Sequence, residues 1–460
     1  MKFSLFVVFT LSTFSLFADE LPPPQGWRTD GTGMYPHANP PLKWSMTENV
    51  IWKTKMPSWS NSQPAILKDR LFVCSEPDVL VCLKLSDGEI LWQRSNGYNS
   101  VASAEEWKKA QPQLEQAAKL QHEKRQTQQQ IQRLESRQIK TEEKTIIQKQ
   151  AAKLQKEIEN IDRQLEHLPL AKKWKLPNTK RRMNGYTTAT PTTDGRFVWA
   201  VFGNSVVCCY DLDGNRQWVR KLSDDPHAMF GHSASPLLVE NTLIVTIKNT
   251  IAFDALSGKE LWRAKYGRSW GSAVLAKIGG EKVIALANGR FVRVSDRKIL
   301  GRAINLADSS PLVQKNLIYY IQQSGSAIRL PKTIGKKFEF ETLWVTQPRG
   351  SRFFASPVYH EGFLYTVSSR GILNVIDAKS GKVVSRKRLD MGHATVYSSV
   401  VLAGHYLIVT SENGTMLVLD ANEKGKLVSS NKLERIISTP IFSGNRMYVR
   451  THHSLFCIGE

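Results

Sequence analysis

The sequence predicts an all-β fold, an eight-bladed β-propeller of four-stranded antiparallel blades carrying an inserted α-helical hairpin. Three observations predict it. A turn rich in Asp, Ser and Gly followed by a short strand recurs as LSDGEILW (85–92), DLDGNRQW (211–218), DALSGKELW (254–262), DAKSGKVVS (377–385) and DANEKGKLVS (420–429). These units are spaced by some 40–45 residues, the period of a propeller blade. One long Gly-free, charge-rich stretch, 103–170, breaks the rhythm once.

The turns come first in the argument. Gly supplies the positive φ of a tight hairpin, and Asp and Ser bond to nearby backbone groups. Trp52 to Trp92 is 40 residues, Trp218 to Trp262 is 44, and Trp262 to Trp344 is 82, or two steps of 41. VSDRKILGRA (294–303) is a degenerate copy that fills the missing step without Gly or Trp. Outer strands are therefore expected near 52, 92, 218, 262, 303, 344, 385 and 429. A second marker opens an apolar run at Pro64, Pro191, Pro236, Ala273, Pro311, Pro357, Ser399 and Pro440. Both markers count eight.

The ends predict closure. TPIFSGNRMYVRTHHSLFCIGE supplies three strands, and NVIWKTKM (49–56) is an outer strand with no inner strands before it. Pairing the two completes a blade and leaves no open sheet edge.

The remaining segments follow from composition. Lys2 precedes an apolar run from Phe3 to Phe17 and a small residue, Ala18, which reads as a signal peptide over 1–18. Residues 19–47 are expected as an N-terminal extended segment, 48–98 as the closing strand and first blade, and 182–460 as blades two to eight. In 103–170, Ile147, Leu154, Ile158, Ile161, Leu165 and Leu168 step by the alternation of four and three that marks a coiled-coil seam. An antiparallel hairpin turning within 135–145 returns the chain to the ring, and Pro112 is expected in a first turn or as a helix break. Its outer face or tip is expected to dock a partner or a second copy.

These residues resemble the PQQ-like β-propeller repeat family, whose blades end in a Gly-x-x-x-Trp docking element. Here that element is Gly88/Trp92, Gly214/Trp218 and Gly258/Trp262, with Trp52 and Trp344 at the same register. The opening, GWRTDGTG through PPLKWS to NVIWKTKM, resembles exported PQQ-like propellers of the planctomycete type. The family includes alcohol-oxidising quinoproteins and non-catalytic scaffolds such as the outer-membrane assembly propeller. The resemblance therefore implies the fold and leaves the function open.

Chemistry is sparse. The chain lacks H-E-x-x-H and a P-loop, and GHSAS (231–235) lacks the last Gly of a G-x-S-x-G elbow. His452-His453 has neither helical spacing nor a nearby carboxylate in sequence, so no metal is expected. Some quinoprotein dehydrogenases hold a vicinal disulfide against the quinone. Cys208-Cys209 lies instead on a strand leading into a blade-end turn, where adjacent residues face opposite sides. No cofactor is expected; PQQ with Ca²⁺ belongs only to the alternative of an alcohol or sugar dehydrogenase.

Lys and Arg exceed Asp and Glu to give a net charge of +22, spread along the chain with no nucleic-acid motif. Nucleic acid is excluded on this ground and on the expected export to periplasm or exterior, leaving a protein or an anionic envelope polymer or glycan as partner. The segments just before each innermost strand place Arg182, Asn184, His232, Arg268, Trp270, Arg352, Phe353, His393 and Arg435 around an axial funnel. The expected function is a non-catalytic exported scaffold, with a dehydrogenase or an envelope-protein assembly factor as alternatives.

Overall fold

A computed structural model describes residues 25–136, 141–177, 183–223, 230–335 and 338–459. The expected signal peptide, 1–18, and Arg182 lie outside them. Eight antiparallel sheets form the blades. Blade 1 comprises Ala65–Leu67, Arg70–Ser75, Val79–Lys84 and Ile90–Ser95, and blade 2 runs from Thr192–Thr193 to Arg216–Lys221. Blades 3 to 7 follow with outer strands Glu260–Ala264, Ile299–Arg302, Glu341–Thr346, Val383–Arg388 and Leu427–Lys432. Blade 8 closes the ring. Its three inner strands, Ile441–Ser443, Arg446–Arg450 and Ser454–Ile458, receive Val50–Lys55 as the outer strand, with Trp52 opposite Cys457.

Period-two alternation sends successive side chains into the layers on either side of each blade. Cys208 thus packs between blades 1 and 2 beside Phe72 and Cys82, while Cys209 packs between blades 2 and 3 beside Leu243 and Phe253. All five cysteines are buried and free.

The Gly and Trp markers meet between blades, the Trp of one blade against the turn of the next. Each indole N–H donates to a turn carbonyl of the next blade: Trp52 to Leu85 (3.2 Å), Trp92 to Leu212 (2.9 Å), Trp218 to Ala255 (2.9 Å), Trp262 to Val294 (3.0 Å) and Trp344 to Ala378 (3.0 Å). The ring then lies on the glycine of that next turn. A Cβ at Gly88 would come within 2.5 Å of Trp52, one at Gly214 within 2.8 Å of Trp92, and one at Gly258 within 2.5 Å of Trp218. In the degenerate blade 4, Arg297 takes the glycine's place at φ 59°.

Between blades 1 and 2 stand helices α1 (Ala104–Glu135), α2 (Thr141–Glu166) and α3 (Pro169–Trp174). Ser103 caps α1 by accepting from the Glu106 N–H at 3.2 Å. Pro112 lies inside α1, so the helix neither starts nor breaks there, contrary to the expectation. Leu114, Ala117 and Leu120 of α1 meet Ile161, Leu165 and Leu168. Toward the tip the stripe loosens, and Ile146 is exposed. The base is anchored on blade 2, where Tyr98, Ala110 and Trp174 pack with Val206 and the Tyr98 hydroxyl donates to Asn204 O at 3.0 Å.

Residues 25–47 do more than lead into the ring. Met34–Tyr35 adds a fifth, parallel strand to the inner edge of blade 7, Tyr35 opposite Ala403, and Trp44 N donates to the Asn431 side chain at 2.9 Å.

Candidate functional site

The innermost strand of a blade has no strand beyond it, so its edge N–H groups need other acceptors. Here the residue just before each marker proline provides one for its neighbour. Thr190 N donates to Ser235 Oγ (2.9 Å), Ser235 N to Ser272 Oγ (3.0 Å), Ser272 N to Ser310 Oγ (2.8 Å) and Ser310 N to Ser356 Oγ (3.0 Å). Ser356 N continues to Ser399 Oγ (3.1 Å) and Ser399 N to Thr439 Oγ1 (3.0 Å). This belt of hydroxyls runs through blades 2 to 8. It also shows that the blade 7 marker is displaced by one: Ser399 is the hydroxyl, and Val400 stands where the other blades have Pro or Ala. In blade 1 the belt position is Gln63, whose Oε1 accepts from Arg28 N at 3.3 Å.

The belt encircles an axial chamber of about 240 Å³. One end is floored by the N-terminal segment. Gln25 exchanges two backbone hydrogen bonds with Thr193 at 2.8 Å. The Arg28 guanidinium, fully buried, donates to Pro357 O (2.9 Å) and Val400 O (2.8 Å). Burial lowers the Arg28 pKa to about 10, so it stays charged at neutral pH. Trp27 faces the chamber.

The other end is the rim. Trp270, Phe230, Phe354 and Tyr397 line it, with Phe354 and Tyr397 stacked at 4.8 Å and Phe230 edge-on to Trp270 at 5.9 Å. Arg352 lies over Phe354 at 4.7 Å and is held by Asp308 at 2.9 Å. The rim segment 183–188 is fixed from blade 1. The Asn61 side chain donates to Met183 O at 2.7 Å, while Glu76 accepts from Tyr186 N (2.6 Å), Thr187 N (2.9 Å) and the Thr187 hydroxyl (2.7 Å). Burial outweighs these bonds and raises the Glu76 pKa to about 7.

Of the residues expected at the funnel, Asn184, Trp270 and Arg352 line the chamber. Phe353 is buried outside the lining, and its neighbour Phe354 takes the wall. His232 is likewise buried, with Ser233 lining in its place. Arg268 is exposed outside the lining. His393 sits in a separate recess with Arg370 and Arg388, and Arg435 pairs with Glu412 at 2.7 Å. Of the basic residues named there, Arg352 lines the chamber, among aromatic rings. Trp27, Asn61, Gln63 and Asp308 escaped the sequence reading, although ADSSP (307–311) put Asp308 at a register the markers had defined.

Among the described residues no group of three or more His, Cys, Asp or Glu side chains could hold a metal ion. Asp308 is the chamber's one described carboxylate and is already paired. Cys208 and Cys209 lie in the inter-blade layers, where burial pushes both thiols well up from their ordinary pKa. Among the described residues the lining supplies one carboxylate, where PQQ with Ca²⁺ would call for several oxygen ligands. His452 stacks on Trp59 at 5.0 Å, and burial together with Arg435 lowers its pKa to about 4, so it is neutral.

Eight radial sheets, Trp-on-Gly joints and an axial chamber define a PQQ-like β-propeller. The family model described as outer membrane protein assembly factor BamB (PQQ_2) matches residues 179–337, 247–399 and 369–457, and the chain belongs to that family. BamB from Moraxella catarrhalis has a similar structure, with TM-score 0.55 and 12% identity over 89% of this chain and 97% of that one. So does the computationally designed Ika8 protein, with TM-score 0.55 and 9% identity over 90% and 100%. In sequence, the WD repeat-containing protein JIP5 of Candida glabrata is 35% identical over 96 residues, 20% of this chain. That alignment spans only 18% of JIP5. No helix among the described residues is long and apolar enough to cross a membrane.

Proposed function

We propose that this chain is a non-catalytic binding scaffold exported to the cell envelope, which offers the axial chamber to a small ligand and the helical hairpin to a protein partner. The observation that carries the reading is the chamber itself. Its polar groups are hydroxyls and amides, and its one described carboxylate is tied up by Arg352. Such a wall recognises a ligand and supplies neither an activated nucleophile nor a Lewis acid. Membership of a family described as an assembly factor, together with the apolar run of residues 3–17, supports the envelope as the place of action.

The dehydrogenase reading loses ground because the one carboxylate among the described lining residues, Asp308, is held by Arg352. Adding PQQ and Ca²⁺ to purified protein should give no dye-linked oxidation of alcohols or sugars. The scaffold reading is tested by a pull-down from native envelopes, comparing the intact protein with a variant whose hairpin is trimmed between residues 121 and 157. Partners retained by the intact protein and lost by the trimmed one support it; the same set in both removes the hairpin from the function.

A further inference from the structure

Charge is unevenly divided along the ring axis. The outer strands run in one sense, each starting at a turn and leading on toward the rim of the next blade. The turns before them carry acids, as Asp87, Asp211, Asp254, Asp377 and Asp420. Their other ends carry cations. Seven of the eight hold Lys or Arg in their last two residues, among them Lys55, Arg220, Arg302, Arg388 and Lys432, and none holds an acid there. These five are exposed and have no ion pair among the described residues. The rim face therefore presents a positive field that draws anions.

Blade 6 adds a recess to that field. Arg370, Arg388 and His393, all exposed, line a hollow of about 560 Å³. The Arg388 guanidinium donates to Arg370 O at 3.1 Å, which fixes it there. Asp390 is the one carboxylate among the described lining residues, and it accepts from Gly392 N at 3.2 Å. Two guanidinium groups against one carboxylate leave the recess positive. It adjoins the chamber. Ser369, in the wall of the recess, donates its N–H to Arg352 O (2.7 Å) and accepts at its carbonyl from Val396 N (3.0 Å). Just beyond those two partners come Phe354 and Tyr397, the half-buried rings stacked at 4.8 Å in the chamber lining. A flat aromatic face and a cationic recess thus stand side by side on the rim.

We infer that the rim at blade 6 binds an acidic polysaccharide, one sugar ring lying on the Phe354–Tyr397 stack and the carboxylate of a neighbouring sugar entering the recess against Arg370 and Arg388. A guanidinium grips a carboxylate through paired N–H donors, and sugar C–H groups settle on the negative face of an aromatic ring. A bilayer presents a plane and reaches only the exposed arginines, whereas a chain of charged rings uses recess and stack together. This deepens the scaffold reading and rests on it for the rim being a ligand site.

The test is calorimetric titration of the intact protein, at low ionic strength, with tetragalacturonate, maltotetraose, tetraglutamate, tetrathymidylate and phosphatidylglycerol vesicles. Tetragalacturonate should bind roughly tenfold or more above each of the others, because only it offers charge and sugar face together. Arg370→Gln with Arg388→Gln should weaken it about tenfold. Tyr397→Leu, which keeps bulk and removes the aromatic face, should weaken it as well. Both variants should keep the melting temperature, which separates lost binding from lost folding. Lys265→Gln with Arg302→Gln takes the same charge from the exposed strand ends of blades 3 and 4, and should weaken binding less than about threefold, the effect of a screened field alone. Equal losses from the two charge pairs, an unaffected Tyr397→Leu protein, preference for the peptide, the nucleotide or the vesicles, or no binding at all overturns the inference. A hairpin-dependent partner captured by a protein that ignores tetragalacturonate sinks this inference alone and leaves the scaffold standing.

Discussion

Gly258 and Gly267 both adopt positive φ, 65° and 89°, yet they answer different demands. Around Gly267 a Cβ would meet nothing within 4 Å, whereas at Gly258 it would strike the Trp218 ring. Gly267→Ala should therefore lose only the cost of a left-handed L-residue, about 1–2 kcal/mol. Gly258→Ala should lose that and a further ~1–3 kcal/mol from overpacking the joint. Denaturant titration of the two variants separates the terms, and equal losses would deny the Trp-on-Gly joint its role. Glu76 yields a prediction in pH. Its pKa stands at about 7 against an ordinary 4.5, because burial disfavours the carboxylate. The folded state thus holds a proton that the unfolded chain releases, so this contribution is fully present below about 4.5 and is lost as pH rises through about 7. Glu76→Gln should flatten the melting temperature across that window; an unchanged slope would show that Glu76 is not its source.

At the scale of elements, the hairpin divides into an anchored base and a free arm. Trp174 is buried with Tyr98, Ala110 and Val206, while the stripe loosens beyond Leu120 and Ile158. Trimming the arm between 121 and 157 should leave the ring's melting temperature within a few degrees. Trp174→Ala should cost ~3–5 kcal/mol as the loss of a large buried ring, read by calorimetry, and the reverse order would mean that the arm supports the ring. The sequence made the blades legible because turn, alternation and spacing are local signals that recur. It misled on Pro112, because packing against α3 and blade 2 lets the helix continue through a proline. The chamber was legible only in part. Register located Asn184, Trp270 and Arg352, but a rim residue and its neighbour face opposite ways, which is why Phe354 and Ser233 line where Phe353 and His232 were expected. Arg28 was invisible: it acts on carbonyls more than 300 residues away, Pro357 and Val400, and no local pattern encodes that.

Across the whole molecule, one pairing makes a ring of what would otherwise be a stack. Val50–Lys55 joins Ser454–Ile458 across some 400 residues of chain, whereas the four antiparallel strands of every other blade come from neighbouring segments. Blades 2 to 7 need only short-range closures and gain their contacts early in folding. The clasp pays the entropy of a very long loop and is expected to engage after the blades it fastens. Trp52→Ala should accordingly speed unfolding while barely slowing refolding, the signature of an interaction absent from the transition state. Stopped-flow chevrons with equal changes in both limbs would place the clasp in the nucleus instead. The seal of the propeller is then a kinetic guard: the lifetime of the native ring, more than its equilibrium stability, is set where its most distant strands meet.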